Sequence, residues 1–195
     1  MEEYAYVLDY LPQGTGVSKF DKKEPVVYAL GDNEFKLFEL VAKTGAVINI
    51  GLDPVFIFGL NIGDRVYIGK DAAKRTAIDH VKRRIGYDDL SNMASSELEY
   101  SVEAIVKANE TRFIRFYNEA GPVTIKKHLL EELPGLGKKT MMAILEERDK
   151  NGPFKGYEDL VTRVPAVKSP EKLIVARIVL EITDPSRKRY LFVLR

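Results

Sequence analysis

The 195-residue sequence contains no cysteine. That absence excludes disulfides, thiol catalysis, Cys-ligated zinc and iron–sulfur clusters together. Histidine is scarce as well: His80 and His128 stand without a ligand-spaced partner, so both read as surface or packing residues, and no metal or cofactor is expected. Strong net charge is missing too. The 30 Lys and Arg against 29 Asp and Glu leave +1, which argues against a uniformly basic nucleic-acid coat and against an acidic disordered tail. The start, Met1-Glu2-Glu3-Tyr4, lacks an apolar core of signal-peptide type, so a cytoplasmic protein is expected. Only residues 44–63 resemble a membrane span. Asn49, Asp53, Pro54 and Asn61 with four glycines would leave backbone groups unpaired in lipid, so strands and turns are expected there and no membrane contact. The one glutamine, Gln13, beside abundant Lys and Glu suits a heat-adapted organism.

What is present is a foldable chain. With 45% hydrophobic and 30% charged residues it can bury a real core, and at about 150 residues per domain its length suits one or two domains. In the first seventy residues Tyr4, Tyr6, Leu8 and Tyr10 alternate at period two. Residues 26–30 and 35–41 flank a Gly-Asp-Asn turn, and shorter β-rich runs follow at 47–50, 55–58 and 65–68. These runs predict a small antiparallel barrel. From Ala72 the period changes. Ile78, Val81 and Ile85 fit one face of an amphipathic helix with Lys82-Arg83-Arg84 on its open side. Ser96-x-x-Glu99 has the form of a capping box for a second helix through Leu98, Val102, Ile105 and Val106. A third helix covers residues 110–119, ended by Gly121-Pro122, and Thr124 is placed to cap a fourth running into Leu133.

Charge counted by segment shows what the total conceals. Residues 1–71 carry 7 basic and 11 acidic side chains, residues 72–123 carry 8 of each, and residues 124–195 carry 15 and 10. The tail is the basic part, and it contains Leu133-Pro134-Gly135-Leu136-Gly137-Lys138-Lys139-Thr140 between two apolar helical patterns. A turn of this composition presents backbone N–H groups and a helix N-terminus, the arrangement that attracts phosphate. Gly135 and Gly137 permit tight turns and close approach of an anion, and Lys138 and Lys139 add full charge to the helix dipole.

Leu133 to Leu145 resembles a helix-hairpin-helix motif, apolar-x-Gly-apolar-Gly followed by a helix, which binds DNA or RNA backbones without reading sequence. The pattern usually has a small residue three positions after Lys138, where Met141 stands. Residues 146–160 are similar to the linker between paired hairpins, and Val164-Pro165-Ala166-Val167-Lys168 stands where the second hairpin belongs, with Ala166 and Lys168 in place of its glycines. Across nearly its full length the chain looks like the domain of unknown function 655 family, archaeal proteins predicted to bind RNA. The resemblance runs through residues 4–12, 63–69, 112–120 and the hairpin, and it implies an OB-like N-terminal barrel.

Other residues admit two readings each. Tyr4, Tyr6, Tyr28, Phe35, Phe38, Phe56, Phe58 and Tyr67 are either barrel core, the reading the −4 charge favours, or base-stacking platforms. Lys19, Lys22 and Lys23 in the loop 14–23 either follow a backbone or are solvated. Arg187, Lys188 and Arg189 precede an apolar run, 190–194, expected to dock as a terminal strand. Asp88-Asp89 and Glu146-Glu147 are adjacent acids that do not converge on a helix, and neither a glycosylase-type aspartate context nor a phosphate-loop motif occurs, so no catalysis is expected.

The fold class expected is thus α+β and multi-module: an OB-like barrel over 1–71, a helical connector over 72–123, an all-α tandem helix-hairpin-helix over 124–185 and a basic tail with a terminal strand over 186–195. The expected function is non-enzymatic, non-sequence-specific nucleic-acid binding, with RNA favoured over DNA. Gly135, Leu136, Gly137, Lys138, Lys139 and Thr140 would make the contacts, with Lys168 and Lys172 from the second hairpin. The alternatives are a DNA-binding accessory of repair or replication, and a protein-docking module attached to a ribosomal or replication assembly.

Overall fold

A computed structural model describes residues 2–14, 24–43, 48–49, 54–55, 59–125 and 127–194. The chain forms two compact units: Met1–Ser101 together with Lys188–Arg195, and Val102–Arg187. These limits regroup the charge. The first unit holds 15 basic and 16 acidic side chains and the second 15 and 13, so the contrast between a −4 front and a +5 tail shrinks to −1 and +2. Arg75, Lys82, Arg83, Arg84 and the cations after Arg187 count with the first unit.

The first unit is built on a curled five-stranded antiparallel sheet, a half-barrel, with strand order β6-β1-β2-β3-β7. Its strands are β1 (Tyr4–Leu11), β2 (Val26–Gly31), β3 (Leu37–Ala42), β6 (Arg65–Tyr67) and β7 (Ile78–Ile85). A separate two-residue ladder joins β4 (Ile48–Asn49) to β5 (Pro54–Val55). The other residues of the runs expected at 47–50 and 55–58, Phe56 and Phe58 among them, lie outside the described residues, as do Lys19, Lys22 and Lys23. Ala5, Val7, Val27, Ala29, Leu40, Ala42, Val66, Ile68 and Ile78 form an apolar cluster on one face. Each buried Val, Leu and Ile of the cluster contributes about 1.5–3 kcal/mol relative to exposure.

Residues 78–85 are a strand, not the amphipathic helix that their spacing predicts. A bulge between Ile78 and Val81, with Ile85 buried opposite Leu37 on the other face of the sheet, explains the mimicry. In the pairing of β7 with β3, Asp79 and Lys82 are extra residues, so the register runs Ala42↔Ile78, Val41↔His80, Leu40↔Val81 and Glu39↔Arg83. An inserted residue moves the next inward position from two to three residues away, which a period count reads as a helix. The second bulge also sets Lys82 and Arg83 against one carboxylate. Lys82 Nζ reaches Glu39 Oε1 at 2.8 Å and Arg83 Nε reaches Oε2 at 2.7 Å. Burial alone would raise the Glu39 pKa, but the hydrogen bonds and charges of these two cations outweigh it and hold the carboxyl below its usual range.

Helix α1 (Asn92–Ala108) starts four residues before the expected capping box. Ser91 supplies the cap: its hydroxyl accepts from Ala94 N at 3.0 Å and donates to Asp9 Oδ2 at 2.6 Å, whereas Ser96 Oγ merely donates back to the Asn92 carbonyl. Residues 188–194 return to the first unit without forming the expected strand. Leu194 N donates to the Glu34 carbonyl at 3.1 Å, and Arg84 donates to the Leu194 carbonyl at 3.1 Å.

In the second unit α2 spans Glu110–Glu119, as its pattern predicts. Arg148 Nη1 caps its end by donating to the carbonyls of Tyr117, Asn118 and Ala120 at 3.1, 2.9 and 3.0 Å. Among the described residues no α-helix runs from Thr124 into Leu133, so the region is not all-α. Thr124 instead closes β8 (Pro122–Thr124), which pairs with β9 (Lys127–His128), and a 3₁₀ turn follows at Leu129–Glu132. Three helices complete the unit: α3 (Lys138–Asn151), α4 (Tyr157–Arg163) and α5 (Pro170–Thr183). Arg163 ties the α3–α4 linker, bonding Glu147 Oε1 at 2.9 Å and the Gly152 carbonyl at 2.8 Å. Among the described residues no helix is long and apolar enough to cross a membrane.

Candidate nucleic-acid interface

The Leu133–Gly137 turn is held from below by apolar side chains. Leu130, Leu133 and Leu136 are buried, so the short chain between them is pinned while its backbone passes over the surface. Leu136 N donates to the Leu133 carbonyl at 3.2 Å, closing a tight turn in which Gly135 has φ +85°. That left-handed conformation favours glycine. Gly137 then caps α3 without any side-chain hydrogen bond, and the first bond into the helix is Met141 N to the Gly137 carbonyl at 2.9 Å. The amides of Lys138, Lys139 and Thr140 precede that first bond and have no acceptor within the helix. Gly135, Gly137, Lys138 and Lys139 are exposed, and a Cβ built on Gly137 would meet nothing within 4 Å. Among the described residues neither lysine has an ion-pair partner, so two full charges add to the positive end of the helix dipole. Met141, where the motif usually has a small residue, is buried and serves as core.

The chain entering this turn is fixed by charge as well as by packing. Arg177 of α5, almost wholly buried, donates to the Glu132 carbonyl at 3.0 Å and to Glu132 Oε2 at 3.1 Å, and its Nε meets buried Glu181 at 2.6 Å. Lys127 Nζ holds the other Glu132 oxygen at 2.6 Å. Chiefly through the Lys127 hydrogen bond, the Glu132 carboxyl is held below its usual range. His128 caps the 3₁₀ turn: its ring Nδ1 accepts from Leu130 N at 3.1 Å, and its backbone N–H donates to Glu131 Oε1 at 2.9 Å. Burial, reinforced by the charge of Arg148, lowers the His128 pKa.

The turn at Val164–Val167, between α4 and α5, repeats this geometry with fewer donors. Val167 N donates to the Val164 carbonyl at 2.9 Å, the counterpart of the Leu136 bond, but Ala166 does not take a positive φ. Pro170 occupies the first turn of α5, which removes one outward amide. Lys168 is exposed. Lys172 is exposed as well, and it helps lower the Glu103 carboxyl, behind the larger effect of Lys107. Of the basic run, Arg187 pairs with Asp184 at 3.3 Å in the second unit, while Lys188 and Arg189 are exposed and count with the first.

The family-model match with the description "Protein of unknown function (DUF655)" covers residues 1–194. The chain belongs to the DUF655 family. One relative is the "Uncharacterized protein MJ0038" of Methanocaldococcus jannaschii, 43% identical over 194 residues, covering 98% of this chain and 80% of the relative. Among solved structures, the crystal structure of Af1531 from Archaeoglobus fulgidus matches with a TM-score of 0.81 at 40% identity, over 99% of this chain and 100% of that one. Both relatives are archaeal. The DUF655 match extends over both units.

Other candidates in this DUF655 chain sort by burial. Tyr28 and Phe35 are core, Phe38 packs against the apolar cluster, and Tyr4, Tyr6 and Tyr67 are only half-buried. Period-two alternation with Ala5, Val7 and Val66 was the sequence signal for that outward set, and Arg65 shares it. His80 lies on β7 with Nδ1 2.7 Å from Asp79 Oδ2. Among the described residues no three His, Asp or Glu side chains are grouped to hold a metal ion. On α2, Phe113 and Tyr117 are buried and Phe116 is half-buried.

Proposed function

We propose that the chain is a non-enzymatic protein that binds nucleic acid without sequence specificity, RNA in preference to DNA, and grips the phosphate backbone at Gly135–Thr140. In this reading Leu133–Leu145 is a helix-hairpin-helix whose entry helix is shortened to a 3₁₀ turn, 164–183 is a second, weaker hairpin, and the curled sheet is OB-like. The supporting observation is the start of α3: three outward amides, no side-chain cap and two exposed lysines without ion-pair partners among the described residues. A buried Leu136 and a braced Glu132 preorganise that surface. Backbone contacts of this kind position a strand without reading it. Lys168, Lys172, Lys188 and Arg189 are auxiliary contacts.

A hairpin that meets about three phosphates gives a slope of log K against log salt near −2 to −3, with a dissociation constant of roughly 10⁻⁴ to 10⁻⁶ M. Replacing Lys138 and Lys139 together by alanine is expected to flatten the slope by about 2 and to weaken binding to any sequence. A folded double variant with unchanged affinity and slope would remove the hairpin from the interface. Competition between matched RNA and DNA strands at one salt concentration decides between RNA binding and an accessory role on DNA.

A further inference from the structure

On β1 and β6 the residues that alternate with the inward Ala5, Val7 and Val66 are Tyr4, Tyr6, Arg65 and Tyr67, paired across the strands as Tyr4↔Tyr67 and Tyr6↔Arg65. Their side chains make an ordered surface. The rings of Tyr4 and Tyr67 meet edge to face, with centroids 5.2 Å apart and planes at 72°. The Arg65 guanidinium carbon lies 3.7 Å from the Tyr4 centroid, and Asp32 Oδ2 fixes the group by accepting from Nε at 2.8 Å and pairing with Nη2 at 2.7 Å. Nearly half of the Arg65 side chain, 46%, remains open to solvent. Tyr67 lies against the backbone of Gly69, where an added Cβ would come within 2.4 Å of its hydroxyl oxygen and 2.5 Å of ring carbon Cζ. Glycine at that position is what lets the ring sit there.

We propose that Tyr4, Arg65 and Tyr67 form a stacking site for an unpaired base of a single-stranded nucleic acid. The inference deepens the reading given above and adds a contact of a different chemical kind in the first unit. A guanidinium held over a tyrosine, with two of its nitrogens engaged by Asp32, offers a fixed planar surface rather than a mobile point charge. Its charge is already balanced, and the first unit as a whole carries 15 basic against 16 acidic side chains, so the attraction here is to a flat ring more than to phosphate. Lys74 Nζ, 5.9 Å from the Tyr67 centroid and loosely paired with Asp71 at 3.8 Å, stands beside the ring. Stacking on such surfaces accepts any base, because every base has a π-face.

The test measures binding of the full chain, at one salt concentration and across a salt series, to a labelled oligouridylate and to an abasic oligomer of equal length. Arg65→Lys keeps the charge and loses the plane; Tyr67→Leu loses the ring. Each is expected to weaken oligouridylate binding by about 5-fold or more, to leave abasic binding and the salt slope unchanged, and to keep a wild-type circular dichroism spectrum. Equal affinity of wild type and both variants for oligouridylate overturns the proposal, and so does an equal loss on both oligomers. Failure of the hairpin reading looks different. Lys138→Ala with Lys139→Ala then leaves the slope unchanged on both oligomers, whatever the Arg65 and Tyr67 variants do.

Discussion

At the scale of single residues, the contrast between Gly135 and Ala166 is the most informative. Both stand third in a Leu-Pro-Gly or Val-Pro-Ala turn closed by the same amide-to-carbonyl bond, yet only Gly135 enters the left-handed region. Space does not demand glycine there, since its Cβ would meet Leu173 Cδ2 at an ordinary 3.6 Å; the backbone angle does. Gly135→Ala is therefore expected to cost about 1–2 kcal/mol of stability, measured by urea unfolding. Ala166→Gly should cost only about 0.4–1 kcal/mol, through the unfolded chain. The first loss should carry a change in nucleic-acid affinity with it, because the outward amides follow directly. The Gly-x-Gly pattern made this site legible from composition and spacing alone. Arg177, Glu132 and Lys127, which brace the same turn, were not legible: their partners are up to 45 residues away and no local pattern announces such a contact.

At the scale of elements, the sequence misled where a local rule was obeyed for another reason. Ile78 and Val81 imitate a helical face because a bulge stretches the period between them, while Ile85, opposite Leu37, is buried on the other face of the sheet. Residues 125–133 fit a helix in apolar spacing, but β9 and a 3₁₀ turn capped by His128 take the place of its start. That cap is sensitive to pH. The His128 pKa is lowered from its ordinary value of 6.5, chiefly by burial and then by Arg148, with Glu131 opposing. The folded state thus prefers the neutral ring, whose Nδ1 accepts from Leu130 N. The associated stability is complete above pH 6.5 and declines as pH falls below it, towards and through the lower folded value. Urea midpoints measured from pH 7.5 to 5 should fall for wild type more steeply than for His128→Asn, which can accept the same hydrogen bond without titrating. Parallel curves would assign the acid sensitivity to other groups.

At the scale of the whole molecule, the segment charges −4, 0 and +5 followed the chain in order, whereas the folded units do not. Residues 188–194 count with the first unit, where Leu191, Phe192 and Val193 are half-buried and Leu194 bonds Glu34 and Arg84. Ending the chain after Arg187 should therefore destabilise the first unit, lowering its thermal midpoint by roughly 4–8 °C for each kcal/mol lost. Hydrogen exchange by mass spectrometry should find reduced protection in β3 and β7 and unchanged protection in α3 and α5. Uniform protection in both units would show the tail to be dispensable. Proximity in sequence offered no sign of this return.

The closing of the chain on itself also orders events during synthesis. Domains ordinarily fold from the N-terminal end as they emerge from the ribosome, but the bond between Arg84 and Leu194 spans 110 residues of chain. The first unit, begun at β1, gains the bonds of Leu194 to Glu34 and Arg84 only once residues 188–194 have left the exit tunnel, after the whole of Val102–Arg187 has been made. The unit that is begun first is thus the last to receive all of its chain.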